Sequence, residues 1–275
     1  MALKMIEFML HTFAERPERA VEADSLCGPA WPEFMRHDPV SNNWHHLMGA
    51  FADCQFFLCD ASNAIVAVGN SIPLTWDGDR GSLPDRGWDA AFERGIANRK
   101  RGIRPDTLAA LQAVVVGERT GRGLGAAIVR GMLALTRRRG FRFLIAPVRP
   151  SLKHLYPLMP MAAYARWMRA DGLPFDPWLR VHQRLGASIA KIAPRSMRIP
   201  GTLAEWRSWT GMEFPVSGRY TVPGALNPVT VNVGRDRAVY VEPNVWLVHE
   251  MAGTGIDPVS LMSNNSGRPG KDWQA

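Results

Sequence analysis

The chain has 275 residues, 46% of them hydrophobic and 21% charged, which is ordinary for a globular protein and sufficient for a buried core. The formal net charge of +8 favours a partner that carries negative charge, either a nucleic acid or a phosphate-bearing small molecule. Three cysteines do not make a disulfide framework, so we expect buried free thiols in a reducing compartment.

No window approaches the ~20 consecutive apolar residues of a membrane-spanning helix. The N-terminal segment MALKMIEFMLHTF has an apolar run that is too short for a signal sequence. We therefore expect a cytoplasmic protein without a membrane partner.

The first part of the chain predicts a strand, two helices and a hairpin. Residues 3–13 predict the strand, and the charged segment 16–34 predicts the first helix. Ser41 or Asn42 is a candidate cap for a second helix within SNNWHHLMGAFADCQ. The apolar runs FFLCD and AIVAVGNSIPLTW, separated by Ala-Ser-Asn, predict a β-hairpin.

The middle of the chain alternates helices and strands. A helix is predicted over 88–99, and the apolar run TLAALQAVVV over 107–116 predicts a strand that is buried on both faces. Apolar residues at helical spacing predict a helix over 124–138, and FRFLIAPV over 141–148 predicts the strand that completes a βαβ unit. A further helix is predicted over 175–186.

A long insertion, residues 149–174, precedes that last helix, and short strands and turns are predicted from Ala187 onward. The C-terminal residues are rich in Gly, Ser, Asn and Pro, which predicts a mobile tail.

The stretch VVVGERTGRGLGAAIVRG, residues 114–131, carries the strongest functional signal. Gly121, Gly123 and Gly125 lie between the apolar strand and the helix, where backbone N–H groups can approach a phosphate closely. From residue 119 to residue 170 there are eleven Lys and Arg but no Asp or Glu. The sequence therefore predicts a phosphate-bearing ligand at this loop.

Three ligands are considered. A nucleoside triphosphate is excluded, because the pattern GxxxxGK[ST] does not occur. The dinucleotide pattern GxGxxG/A is matched by Gly121, Gly123 and Ala126, but no acidic residue follows before Asp171 to hold a ribose hydroxyl. An NADP-dependent oxidoreductase, with Arg149 near the extra phosphate, stays open. The third ligand is coenzyme A.

The order of strand, glycine loop, helix, strand and helix resembles the central part of the GNAT acyltransferase superfamily. The loop TGRGLG matches the family pattern [Gln/Arg]-x-x-G-x-[Gly/Ala] except at its first position, which is Thr120. The helix end VHQRLGA is similar to the family's Tyr-x-x-x-Gly turn, with His182 in place of the tyrosine.

The resemblance covers the first 190 residues and implies an α/β (α+β) fold. Its sheet would be mixed, mainly antiparallel and twisted, flanked by helices, with a C-terminal β-rich extension. We expect residues 1–190 to form the acyl-CoA-binding core, 191–254 to add strands that complete the sheet, and 255–275 to be the tail.

The resemblance implies acetyl-CoA or another acyl-CoA as co-substrate. Its pantetheine arm would pair with the strand, its pyrophosphate would bind the loop and helix N-terminus, and Arg122 would add a charge-assisted contact. The backbone amide near Val116 is nominated to hold the oxyanion. The implied cofactor-binding residues are Val114, Val115, Val116, Thr120, Gly121, Arg122, Gly123, Leu124, Gly125 and Ala126.

Acyl transfer from a thioester also needs a proton for the departing thiolate. His182, in the family's tyrosine position, and Tyr156 are the candidate catalytic residues, and Tyr164 is a further rival donor. The alternative for His182 is a histidine packed beneath the sheet. Ala109 stands where some family members have a glutamate, so no base is assigned.

The predicted function is the transfer of an acyl group from acyl-CoA to an amine, by direct attack in a ternary complex. The acceptor is an unidentified small molecule or peptide. A non-catalytic CoA-binding module of the same fold is the main alternative. A homodimer stays open.

Nucleic acid is disfavoured as a partner, because the basic run at 137–139 closes a helix and Phe141 begins a strand. A metal site is not expected, since Cys54 and Cys59 lack a second pair of ligands.

Overall fold

Nine strands form one mixed β-sheet in the computed structural model, which describes residues 8–117 and 123–251. The strands are β1 (Met9–Thr12), β2 (Phe56–Cys59), β3 (Ile65–Leu74), β4 (Thr107–Val115), β5 (Phe143–Val148), β6 (Ser188–Gly201), β7 (Gly218–Tyr220), β8 (Val229–Asn232) and β9 (Arg237–Glu250). Their order is β1-β2-β3-β4-β5-β9-β8-β7, and β6 also pairs with β9. Only β4 and β5 pair in parallel within the described ranges. The predicted fold class is confirmed.

Helices cover both faces of this sheet. The α-helices in the described part of the chain are α1 (Ala20–Ser25), α2 (His45–Met48), α3 (Gly87–Lys100), α4 (Leu124–Arg138), α5 (Met161–Ala165), α6 (Pro177–Arg184) and α7 (Leu203–Thr210). Single 3-10 turns occur at Pro17–Arg19, Gly28–Ala30, Glu33–His37, Pro39–Asn43, Ala52–Cys54, Arg80–Ser82, Lys153–Leu155 and Val233–Arg235.

The N-terminal helices are shorter than predicted. A single helix over 16–34 is wrong, because the segment forms α1 followed by 3-10 turns. Pro29 and Pro32 lack the N–H that would continue a helix, so the chain turns here instead. The helix predicted within SNNWHHLMGAFADCQ is likewise limited to the four residues of α2, between two 3-10 turns.

The predicted βαβ unit is confirmed. Strand β4, helix α4 and strand β5 follow one another, and the two strands are parallel. The β2–β3 hairpin, α3 and α6 also lie where the sequence predicts them. The predicted first strand is present as β1, and its residues before 8 lie outside the described ranges.

The C-terminal part differs from the predicted series of short strands. β6 and β9 are 14 residues long each and pair antiparallel along most of their length. β9 also pairs with β5, so this end of the chain completes the sheet. The expected division at residue 190 falls inside β6, and the expected tail, 255–275, lies outside the described residues.

The two faces of the sheet carry separate cores. Alternate residues of β9 point to opposite faces, so that Val245 and Leu247 pack with α5 and α6, whereas Trp246 and Val248 pack with α3. Helices α4 and α6 share one face, which we call the α4 face. Helices α1 and α3 lie on the other, which we call the α3 face.

Two glycines allow α4 to pack closely on the hairpin. The fully buried Phe56 ring lies between Gly69 of β3 and Gly131 of α4. A Cβ at Gly69 would lie 2.4 Å from ring atoms of Phe56, and one at Gly131 would lie 2.7 Å from the same ring. Because the ring is enclosed, it cannot move aside at low cost.

Gly69→Ala is expected to lower the free energy of unfolding by about 1–3 kcal/mol, since the added methyl group overlaps the Phe56 ring. Urea unfolding of the purified variant measures this loss. Gly218→Ala is the matched control, because that strand glycine has no atom within 4 Å of its would-be Cβ. Equal stability of the two variants would contradict the close packing.

Candidate active site

The parallel strands separate after three residue pairs. Thr107, Leu108 and Ala109 of β4 pair with Phe143, Leu144 and Ile145 of β5. Beyond this point, within residues 8–117 and 123–251, β5 pairs only with β9 and β4 pairs only with β3. The result is a gap between the two strands that opens toward their C-terminal ends.

A β-bulge lies at the start of this gap. Ser71 pairs with Ala110 and Asn70 pairs with Gln112, so Leu111 is the extra residue of β4. A bulge bends the strand and re-aims the backbone groups beside it. The bulge therefore gives β4 irregular backbone where the two parallel strands separate.

The glycine loop connects the end of β4 to α4. Gly117 and Gly123 both have left-handed backbone, with φ values of 67° and 78°, and a Cβ at either would meet no atom within 4 Å. Among the residues that the structure describes, no side chain caps the N-terminus of α4, so its first N–H groups point out of the helix without a side-chain acceptor from that part of the chain. Three of the predicted cofactor-binding residues, Thr120, Gly121 and Arg122, lie outside the described residues.

The remaining predicted cofactor-binding residues lie on both sides of this loop. The Val116 N–H donates to the Val66 carbonyl oxygen at 3.0 Å. This amide, which the family resemblance implied for the oxyanion, is therefore already engaged. Val115 is the neighbour whose N–H points the other way, toward the gap. Val114 is buried beneath α1, and Leu124, the first residue of α4, is buried in the core between this helix and the sheet. Ala126 is half-buried in the first turn of α4.

Trp178 of α6 stands against the N-terminal turn of α4. A Cβ at Gly125 would lie 3.0 Å from Cζ3 of the Trp178 ring, so the glycine permits this close approach. The same ring contacts His182 edge-to-face at 4.9 Å between centroids. Trp178 therefore connects the glycine loop to the helix that carries the predicted catalytic histidine.

His182 is enclosed between α6 and β9. Its Nδ1 lies 3.1 Å from Nε2 of His249, and both rings are only 2% exposed. Burial, with the charge of His249 as a second cause, lowers the pKa of His182 to about 3. Burial lowers the pKa of His249 to about 4. Both rings are therefore neutral at pH 7, and a neutral imidazole is a weak proton donor.

Tyr156 and Tyr164 belong to an aromatic cluster of the insertion, with ring centroids 6.0 Å apart. The Tyr164 hydroxyl donates to Oδ2 of Asp176 at 2.9 Å, and burial raises the pKa of Tyr164. Tyr156 is half-buried against the core that includes Ala110 of β4 and Val148 of β5. Its hydroxyl makes no hydrogen bond to any residue that the structure describes.

Lys153 is a buried cation of the insertion. Its Nζ donates to the carbonyl oxygens of Tyr156 and Leu226, each at 2.7 Å. Burial lowers the pKa of Lys153 to about 8. Lys153 therefore fastens the insertion to the connection between β7 and β8.

Buried carboxylates lie on the α3 face. Glu242 accepts hydrogen bonds from Arg149 and from the Tyr240 hydroxyl, each at 3.0 Å, and from Asn244 at 3.2 Å. Asp38 and Asp89 face each other, and burial, together with the Asp38 charge, raises the pKa of Asp89 to about 8. None of these three carboxylates was predicted from the sequence, where each is an isolated charge without a motif. Arg149, which the sequence offered for the extra phosphate of NADP, is instead paired with Glu242.

A separate depression lies away from this gap. An open depression of about 430 Å³ lies at the far end of β3 and β4 and is lined by Thr75, Trp76, Asp77, Ser82, Arg94 and Asp106. These residues precede β4, whereas the gap opens at the other end of that strand. We therefore do not assign the depression to the active site.

Residues 8–117 and 123–251 contain no group of three or more His, Cys, Asp or Glu side chains that could hold a metal ion. Within the same ranges no helix has the length and apolar character to cross a membrane.

The fold is the one found in two solved GNAT-like structures. The structure is similar to the loading GNATL domain of CurA from Lyngbya majuscula, with a TM-score of 0.57 and 18% identity over 89% of this chain and 98% of that domain. It is also similar to the GNAT-like decarboxylase GphF in complex with isobutyryl-CoA, with a TM-score of 0.54 and 16% identity over 88% of this chain and 98% of that one.

The comparison of sequences assigns the family more closely than the comparison of folds does. The chain is 33% identical to the arginine N-acetyltransferase avaD of Aspergillus versicolor, in an alignment that covers 88% of this chain and 93% of the relative. No family model matches the sequence. The chain belongs to the GNAT superfamily and is an N-acyltransferase, so the predicted family and activity are confirmed.

The histidine pair makes stability depend on pH. Between pH 6.5 and the lowered pKa values the unfolded chain binds protons that the folded protein does not, so stability is lost as pH falls. His182→Phe is expected to reduce the loss of unfolding free energy between pH 7 and pH 5 by about 2 kcal/mol in total, because the full slope of about 1.4 kcal/mol per pH unit is reached only well below pH 6.5. Urea unfolding at a series of pH values measures the slope.

Leu179→Val is the control for this experiment. It removes packing from the same helix without removing a titrating group. The free energy of unfolding should therefore fall by the same amount at every pH, and its slope against pH should not change. An unchanged slope in His182→Phe would show that this ring does not titrate abnormally.

Proposed function

We propose that this protein transfers an acetyl group from acetyl-CoA to an amine of arginine or of an arginine-containing molecule. The similarity to an arginine N-acetyltransferase along nearly the whole of both chains supports the acceptor. The observation that carries the reaction is the gap between β4 and β5, which ends at a glycine loop and an uncapped helix N-terminus.

The loop and α4 would hold the phosphates of the co-substrate. The predicted set, from Val114 to Val116 and from Thr120 to Ala126, joins the gap side of β4 to the first turn of α4. Free N–H groups and the positive end of the helix dipole favour an anion here. Strand β4 has no partner along the gap, so its N–H and C=O groups can pair with the amides of a pantetheine arm.

The bulge places backbone groups where the acyl carbon would react. Amides that point at a developing oxyanion stabilise it most when they are fixed in advance. We assign this role to the backbone of β4 between Leu111 and Val115, in place of the amide of Val116.

Two candidate proton donors remain predictions. Tyr156 is the better placed, because its unpartnered hydroxyl belongs to the cluster that borders the gap. His182 is enclosed and its pKa is lowered to about 3, so it would act by orienting Trp178 rather than by giving up a proton. A cytoplasmic location and a homodimer also stay predictions.

The first test is thermal unfolding with acetyl-CoA, coenzyme A or NADPH, followed by mass spectrometry of arginine incubated with acetyl-CoA. A ligand at 100 times its dissociation constant stabilises the folded state by about 2.7 kcal/mol. We expect a shift with the two CoA compounds and a product heavier by one acetyl group. A shift without product would indicate a non-catalytic module, and a shift with NADPH alone would contradict the proposal.

Gly123→Val tests the loop itself. A β-branched residue is strained at φ 78°, so the turn into α4 should change and the dissociation constant for coenzyme A should rise at least ~10-fold. Gly102→Val is the matched control, because Gly102 has a φ of 64° and similar open space at the end of α3. Isothermal calorimetry compares the two variants, and equal affinities would contradict the role of the loop.

A further inference from the structure

Three tryptophans surround the bulge of β4 on the α3 face. Trp88 of α3 donates from Nε1 to the carbonyl oxygen of Leu111 at 2.8 Å. Trp31, in the turn after α1, donates from Nε1 to Oε1 of Gln112 at 3.0 Å. Trp44 lies nearly parallel to Trp88, with ring centroids 6.4 Å apart and 13° between the planes. We call Trp31, Trp44 and Trp88 the tryptophan cluster.

A carboxylate belongs to the same group. Asp24 of α1 is half-buried and accepts a hydrogen bond from Trp44 Nε1 on Oδ1 at 2.8 Å. The neighbouring Cys27 has its pKa raised to about 12, chiefly by burial and then by the Asp24 charge, while its contact with Gln112 acts in the opposite sense. Cys27 thus lies between Asp24 and the bulge.

Asp24 has no cation beside it. Most acidic side chains near this face are already engaged, as Glu22 is with Arg19 and Glu93 is with Arg86. No Lys, Arg or His of the described residues forms an ion pair with Asp24. A partly buried carboxylate pays a desolvation cost that a bound cation would offset.

The chemistry of the cluster fits one kind of cation. A carboxylate binds a guanidinium group through charge-assisted hydrogen bonds, and this planar group stacks on indole faces. The cluster lies on the α3 face, whereas the uncapped N-terminus of α4 lies on the other face. A second substrate could therefore reach the bulge without crossing the path of the co-substrate.

We propose that Asp24 and the tryptophan cluster form the acceptor subsite and bind the guanidinium group of the acceptor. The subsite rests on the proposed function, since that function supplies an acceptor with such a group. Asp24 provides the charge, and Trp44, whose Nε1 donates to that carboxylate, provides the aromatic surface beside it.

Calorimetry with L-arginine and L-citrulline tests this assignment, with and without coenzyme A. The two ligands have nearly the same size and shape, but citrulline carries a neutral urea in place of the guanidinium. Wild-type protein should bind arginine at least ~10-fold more tightly. In Asp24→Asn the affinity for arginine should fall roughly 10- to 100-fold, while that for citrulline changes little. The asparagine amide oxygen can still accept the Trp44 hydrogen bond, so the fold is kept.

Asp171→Asn is the control, because this exposed carboxylate of the insertion pairs with Arg169 at 3.4 Å, far along the chain from the cluster. It should preserve the preference for arginine. Equal or undetectable binding of both ligands by the wild type would overturn the subsite, and so would an unchanged preference in Asp24→Asn.

Acetyl transfer measured on the same samples separates the two proposals. Selective arginine binding that Asp24→Asn abolishes, without acetylated product from the wild type, would reject the proposed reaction and retain the subsite. Normal acetylation with an unchanged preference in Asp24→Asn would reject the subsite alone.

Discussion

The short parallel contact between β4 and β5 is the constraint on which the site depends. Only three residue pairs join the two strands, and each strand then has a partner on its outer side alone. Antiparallel pairing on both flanks fixes the strands in their divergent positions. An opening in the middle of a sheet is thus held by backbone hydrogen bonds, and the surrounding side chains are free to define what enters it.

The two faces of the sheet present different groups around this opening. On the α4 face, the glycine loop, the helix N-terminus and Trp178 form a surface suited to a phosphate-bearing ligand. On the α3 face, tryptophan side chains donate to the backbone and side chain of the bulge itself. The bulge lies where the two parallel strands separate and also accepts hydrogen bonds from the α3 face, so a change in its register would alter both.

The central βαβ unit was predicted well from the sequence, whereas the groups on the α3 face were not predicted. Glycines, helical spacing and an unbroken apolar strand are local signals, and they located β4, α4 and β5 correctly. The single helix predicted over 16–34 was wrong because prolines interrupt the segment that its charged residues suggested to be helical. Asp24 and Trp88 are brought together by long-range packing, and neither lies in a motif. Strands were predicted from Ala187 onward but as short ones, because bulges and prolines interrupt the alternation of the long β6 and β9.

Asp176 joins the insertion to helix α6. One carboxylate caps the first turn of α6, accepts the Leu152 N–H and holds the Tyr164 hydroxyl. The insertion and the helix that carries Trp178 are therefore joined through one side chain and form a single structural unit. Exchange of this segment between related enzymes would succeed only if the carboxylate and its three contacts travelled together.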